Sequence, residues 1–153
     1  MIIRMKIQWF KKKEYKQVLD KSKSNKILIV DDSNINRYVI KKTIENLYGA
    51  QYIIEEADNG LNAIEKCKVE EYRIIFIDIK MPIMNGDIAV KEIRKFNNTS
   101  FICGITGQIE NYKEYLNIGM NKCISKPIDK KILKLIIDDY ENNEMHEYKL
   151  SWK

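Results

Sequence analysis

The chain has 153 residues, 44% hydrophobic and 32% charged, enough for one domain with a real core and too few for two. No apolar run approaches the roughly 20 residues of a membrane-spanning helix, and Arg4 and Lys6 break the opening Met1-Ile2-Ile3 as the apolar part of a signal peptide. The formal charge of +5 is unevenly placed: residues 1–25 hold eight Lys/Arg against two Asp/Glu, and the rest of the chain is near neutral. Residues 1–25 end in the polar Lys-Ser-Lys-Ser-Asn and read as a basic leader or linker. Without an aromatic–basic repeat they are expected to be solvated, with no nucleic-acid partner. Cys67, Cys103 and Cys123 are odd in number and contain no C-x-x-C pair, so they read as small apolar residues of a reducing, cytoplasmic setting.

A globular body is predicted over residues 26–140. Ile27–Val30 is a short β-branched run bounded by polar residues, the pattern of a strand buried on both faces. The pattern returns at Tyr52–Ile54, Ile74–Ile77 and Phe101–Ile105, and weakly at Cys123-Ile124. Between these runs the apolar residues take helical spacing. Ile40, Ile44 and Leu47 mark one helix, Ala63, Ile64 and Cys67 a second, and Ala89, Ile93 and Phe96 a third. Residues 108–117 supply a fourth. A fifth over 129–140 carries Ile132, Leu133, Ile136 and Ile137, with Pro127 and Asp129 as start signals. The remainder, 141–153, is polar and predicted to fray.

Strict strand–helix alternation implies an α/β fold, a parallel sheet covered on both faces by right-handed crossovers. Ligands of such sheets sit beyond the carboxyl ends of the strands. Those ends carry Asp31 and Asp32 after the first run, Asp78 at the third, Thr106 at the fourth and Lys126 after the fifth. Carboxylates gathered in a partly dehydrated cleft repel by a few kcal/mol per pair at an effective dielectric of about 20. A divalent cation relieves that repulsion, and an all-oxygen donor set of few ligands suits Mg²⁺. A metal with a lysine and a hydroxyl alongside is equipment for phosphoryl transfer. Asp78, ending the middle strand, is the candidate nucleophile.

The set Val-Asp31-Asp32, Ile-Asp78-Ile-Lys-Met-Pro-Ile-Met-Asn-Gly86, Gly-Ile-Thr106-Gly107 and Ser-Lys126-Pro127 resembles the response-regulator receiver family. The strings Asp32-Ser-Asn-Ile-Asn-Arg37 and Gly119-Met-Asn-Lys-Cys-Ile-Ser-Lys-Pro127 are similar to those of receivers attached to hybrid histidine kinases. The resemblance implies a flavodoxin-like (βα)5 doubly wound sheet of strand order 2-1-3-4-5. It further implies that Asp78 accepts a phosphoryl group from phosphohistidine on a histidine kinase or phosphotransfer protein. Asp31, Asp32, Asp78 and the Lys80 backbone carbonyl would hold Mg²⁺. Lys126 and Thr106 would bind the phosphoryl oxygens, Gly107 leaving the threonine room, and the Lys126–Pro127 bond would be cis. Side chains at Lys80 and Gln108 would govern hydrolysis.

One departure is visible. Cys123 stands where many members carry the Tyr or Phe that reports the switch to an output face, which suits a relay better than direct signalling. Two functions follow: a phosphorelay receiver, stand-alone or the cytoplasmic piece of a membrane-anchored hybrid kinase, or a response regulator that binds a target protein through its fourth and fifth helices. No ATP-binding, DNA-binding or catalytic output motif follows residue 140. The single histidine, His146, lies in the polar tail, so the phosphoryl donor is expected to be another molecule.

Overall fold

The computed structural model describes residues 24–142; most of the basic leader and His146 lie outside them. Five strands form one parallel sheet in the order β2-β1-β3-β4-β5: β1 Lys26–Val30, β2 Ile53–Ala57, β3 Ile74–Asp78, β4 Phe101–Thr106 and β5 Lys122–Ser125. The helices are α1 Asn34–Tyr48, α2 Gly60–Val69, α3 Gly86–Arg94, α4 Tyr112–Asn117 and α5 Lys130–Glu141. This is the flavodoxin-like order the resemblance implied.

Side chains alternate across each strand, so the sheet builds two cores. Leu28, Val30, Ile75, Ile77 and Ile102 pack toward α2 and α3 through Ala63, Ile64, Ala89 and Ile93. Ile27, Ile29, Ile74, Phe76 and Cys103 pack toward α1 and α5 through Ile40, Ile44, Leu133, Ile136 and Ile137. Each of the Leu, Ile, Val and Phe side chains contributes about 2 kcal/mol on burial. The cysteines are free and buried, and burial pushes the Cys67 thiol up to about 12 and that of Cys123 up to about 11. They serve as small apolar residues.

The elements depart from the sequence expectation in four places. β2 is an edge strand running on through Glu55 and Glu56 to Ala57, and Ile53 is exposed. The third helix ends at Arg94 and leaves Phe96 exposed. There the Arg94 guanidinium donates to the carbonyls of Asn97, Ser100 and Gly119, which anchors the chain's exit from the helix. The fourth helix begins as a 3₁₀ turn, Ile109–Asn111, before α4. Glu141, which composition placed in the tail, closes α5. Its carboxylate pairs with Arg73 Nε at 2.7 Å, both side chains being buried, and accepts from the Tyr52 hydroxyl at 2.9 Å. Among the described residues no helix is long and apolar enough to cross a membrane.

Candidate functional site

The parallel register aligns the strand ends. Val30 pairs with Ile77, which sets Asp31 beside Asp78. Asp78 pairs with Ile105 and Thr106 with Ser125, which brings Thr106 and Lys126 to the same edge. Backbone bonds continue past the strands: Asp31 N–H to the Ala57 carbonyl at 3.1 Å, Ile79 N–H to Ile105 at 2.9 Å, and Lys126 N–H to Thr106 at 2.8 Å. The edge residues are thus held by the sheet, not by loops.

Asp31, Asp32 and Asp78 bring carboxylate oxygens within 4.8 Å of one another. Asp31 and Asp78 are buried and Asp32 is exposed, so the cluster is open on one side. Lys126 Nζ lies 2.7 Å from Asp78 Oδ2 and 3.6 Å from Asp31 Oδ2. Burial pushes the Asp78 carboxyl above its ordinary range, against the pull of Lys126, and the nearby Asp31 adds to the rise. Partial burial works against the Lys126 ammonium, but its bond to Asp78 and the field of Asp31 outweigh that and hold it above the ordinary lysine value. Among the described residues Lys126 is within ion-pair range of two of the three carboxylates, Asp31 and Asp78, while Asp32 lies on the exposed side. This excess of negative charge, on oxygen donors alone, fits a hard divalent cation.

The loop after β3 is shaped around Asp78. The Lys80 amide donates to Asp78 Oδ1 at 3.3 Å while its side chain is exposed. Asn85 Oδ1 accepts from the Met81 amide at 3.2 Å. Ile83 sits at φ 69°, and the Met84 amide reaches the Pro82 carbonyl at 2.7 Å across it. The loop returns so close that a Cβ on Gly86 would stand 2.1 Å from the Asp78 carbonyl oxygen. Only glycine permits that approach.

Thr106 is buried, and its hydroxyl is engaged with its own turn, accepting from the Gln108 amide at 3.0 Å and donating to the Gln108 carbonyl at 3.1 Å. Gln108 is exposed. Nothing lies within 4 Å of a Cβ built on Gly107. The Lys126–Pro127 peptide is cis. Cys123 is buried with Tyr115 and Met120 beneath α4, and its sulfur would lie 3.3 Å from a Cβ on Gly104.

Three contributors were not singled out from sequence. Asn36 Nδ2 lies 3.2 Å from both Asp31 carboxylate oxygens. The Ser33 amide donates to Asp31 Oδ1 at 2.8 Å. Arg37 Nη1 donates to the Asp31 carbonyl at 2.7 Å, and its Nε pairs with Glu56 Oε2 at 3.0 Å. The signal was present in the string from Asp32 to Arg37, whose polar residues follow the acid pair at helical spacing. Beside the cluster a groove of about 410 Å³ is lined by Asn36, Val39, Ile40, Lys126, Pro127 and Ile128.

Comparison with known proteins agrees with this geometry. The family model for the response regulator receiver domain matches residues 27–138. The osmosensing histidine protein kinase SLN1 of Saccharomyces cerevisiae is 38% identical over 130 residues, covering 79% of this chain and 10% of the kinase. The chemotaxis protein CheY of Halobacterium salinarum is 32% identical over 118 residues, covering 76% of this chain and 96% of that protein. Among solved structures, the receiver domain of the sensor histidine kinase PA1611 from Pseudomonas aeruginosa, with magnesium in its cleft, superposes with a TM-score of 0.68. It is 25% identical and covers 77% of this chain and 98% of that one. This chain belongs to the response regulator receiver family. It spans about a tenth of the length of the yeast kinase and nearly all of the archaeal CheY.

Proposed function

We propose that this chain is a phosphorelay receiver that takes a phosphoryl group from phosphohistidine onto Asp78. The observation that carries this reading is the cluster of Asp31, Asp32 and Asp78 with Lys126 Nζ 2.7 Å from the acceptor. In the transfer the N–P bond of the donor breaks, an O–P bond forms at an Asp78 carboxylate oxygen, and the imidazole leaves with the bond's electron pair. Mg²⁺ would be held directly by Asp32 and Asp78 and the Lys80 backbone carbonyl, and through water by Asp31; bound there it neutralises charge on the transferring oxygens. Lys126 stays on the phosphoryl oxygens once they replace the bare carboxylate. Thr106 leaves Gln108 to donate to the same group, moving into the space beside Gly107.

The donor approaches over α1. Ile35, Tyr38 and Val39 are exposed there, beside the groove that reaches Lys126 and Pro127. An apolar helix face next to the acceptor suits a helix bearing a phosphohistidine. The packed Cys123, in place of a swinging aromatic, also favours relay. A terminal regulator acting through α4 and α5 is the second reading, supported by the match along nearly the whole of a stand-alone CheY.

Incubation with ATP alone should leave the chain unlabelled, and addition of a phosphorylated histidine kinase or phosphotransfer domain should add one phosphoryl group by intact mass. Asp78→Asn should receive none. A relay module hands the group on to unphosphorylated phosphotransfer protein, whereas a terminal regulator holds it. Full labelling of the Asn variant would defeat the assignment of Asp78.

A further inference from the structure

The start of α1 is built in an unusual way. Ser33 is the N-cap, and its hydroxyl accepts from the Asn36 amide at 3.3 Å. In the ordinary capping box the side chain at the third helical position reaches back to the amide of the cap residue. Asn36 occupies that position but turns its Nδ2 to the Asp31 carboxylate, 3.2 Å from each oxygen. The Ser33 amide is satisfied by Asp31 Oδ1 at 2.8 Å. Asp31 thereby does the work of the missing capping side chain. The first turn of α1 has no acid of its own, so this carboxylate also supplies the negative charge that the helix start favours.

Asp31 is 1% exposed, and two donors, the Ser33 cap amide and the Asn36 side chain, set the plane of its carboxylate. The Arg37 guanidinium holds its carbonyl at 2.7 Å and is itself braced by Glu56. The opposing pull comes from Lys126 Nζ, 3.6 Å from Asp31 Oδ2. Among the described residues, that ammonium is the side-chain cation in ion-pair range of Oδ2. Without the Asn36 amide, the carboxylate would swing toward it and close an ion pair across the mouth of the cluster.

We infer that Asn36 is a positioning residue of the cation site, holding the Asp31 carboxylate away from Lys126 so that Mg²⁺ meets an open acid cluster. This rests on the Mg²⁺ reading above. Asn36 acts through Asp31, whose carboxylate oxygens its Nδ2 contacts.

The test is a titration of the full chain with MgCl2, followed by amide NMR shifts around Asp32 and Lys80, with thermal melts in EDTA alongside. Asn36→Ala should weaken Mg²⁺ binding roughly tenfold, at the lower end of what outer partners of metal ligands contribute. The isosteric Asn36→Leu should do the same. In the Asp31→Asn background Asn36→Ala should cost nothing further, because its route to the metal is gone. A tenfold loss that persists in that background, or undiminished Mg²⁺ affinity of both Asn36 variants in a wild-type chain that binds, overturns this inference alone. A wild-type chain with no saturable Mg²⁺ shift overturns the metal reading together with it.

Discussion

Lys126 Nζ stands 2.7 Å from Asp78 Oδ2, and it reaches that point from the far edge of the sheet. This ammonium is in range of two of the three carboxylates, Asp78 and Asp31, and it competes with any cation that enters. Under the proposed function its greater use would come once a phosphoryl group is attached to Asp78, since charge-assisted bonds to phosphate oxygens are the stronger ones.

Lys126→Met should therefore bind Mg²⁺ at least as tightly as the wild type, while failing to change state when phosphorylated. Amide NMR near Thr106, with and without beryllofluoride as the phosphoryl mimic, reads the second effect. A loss of Mg²⁺ affinity as deep as that of Asp32→Asn would show that Lys126 instead builds the resting site.

Asp78 is stabilising for function and costly for the fold. Burial raises its carboxyl above the ordinary value of 3.8, with Lys126 opposing. The folded chain thus holds this proton to higher pH than the unfolded chain, and stability falls as pH rises from about 4 through the folded value. In EDTA at pH 7, Asp78→Asn should be more stable than the wild type, because it removes a buried charge that the fold disfavours. The advantage should shrink to nothing toward pH 3, where the wild-type carboxyl is also neutral. Urea melts across that range would measure it, and an Asn variant less stable at pH 7 would contradict it.

The sheet and its acid edge were legible because both have local signals. Ile27–Val30 and Ile74–Ile77 are short apolar runs rich in β-branched residues, the pattern of a twice-covered strand, and the acids directly follow them. The register then places Asp31 beside Asp78 without further information. Glu55 and Glu56 hid the length of β2, since an edge strand keeps charge on its open side. Glu141 was hidden too: its partner Arg73 lies 68 residues away, and no period in the chain announces a long-range ion pair. Asn36 was read as part of a motif, yet its bond to Asp31 crosses a turn and appears only in three dimensions.

Two glycines of the site differ in what they tolerate. A Cβ at Gly86 would lie 2.1 Å from the Asp78 carbonyl oxygen and 3.0 Å from Ile77 Cγ1. The first of these is backbone held by the sheet and cannot move aside. Gly86→Ala should cost about 3 kcal/mol or prevent folding. Gly107→Ala meets nothing within 4 Å and should change stability by no more than about 0.5 kcal/mol. It would instead crowd Thr106 on its way to the phosphoryl group, so its effect should appear in the beryllofluoride-bound spectrum alone. Equal melting losses for the two variants would refute this contrast.

The lifetime of the aspartyl phosphate should be long. Its hydrolysis needs a water placed in line with the phosphorus by an acceptor near the mouth of the cleft. The exposed side chain two positions beyond Asp78 is Lys80, whose ammonium donates and cannot accept. Gln108, two positions beyond Thr106, is exposed and carries an amide oxygen, but its backbone is bonded to the Thr106 hydroxyl and would be released if that hydroxyl moved to the phosphoryl group as proposed. Its side chain then moves with that turn. Slow self-hydrolysis follows, which suits a receiver that passes its group onward. Lys80→Asn restores an acceptor at the nearer position and should shorten the half-life about tenfold, while Lys80→Ala should leave it nearly unchanged. Decay of the phosphorylated form, followed by intact mass after donor removal, measures both. A half-life greatly lengthened by Lys80→Ala would mean that the lysine itself promotes attack by water, and the lifetime argument would fail.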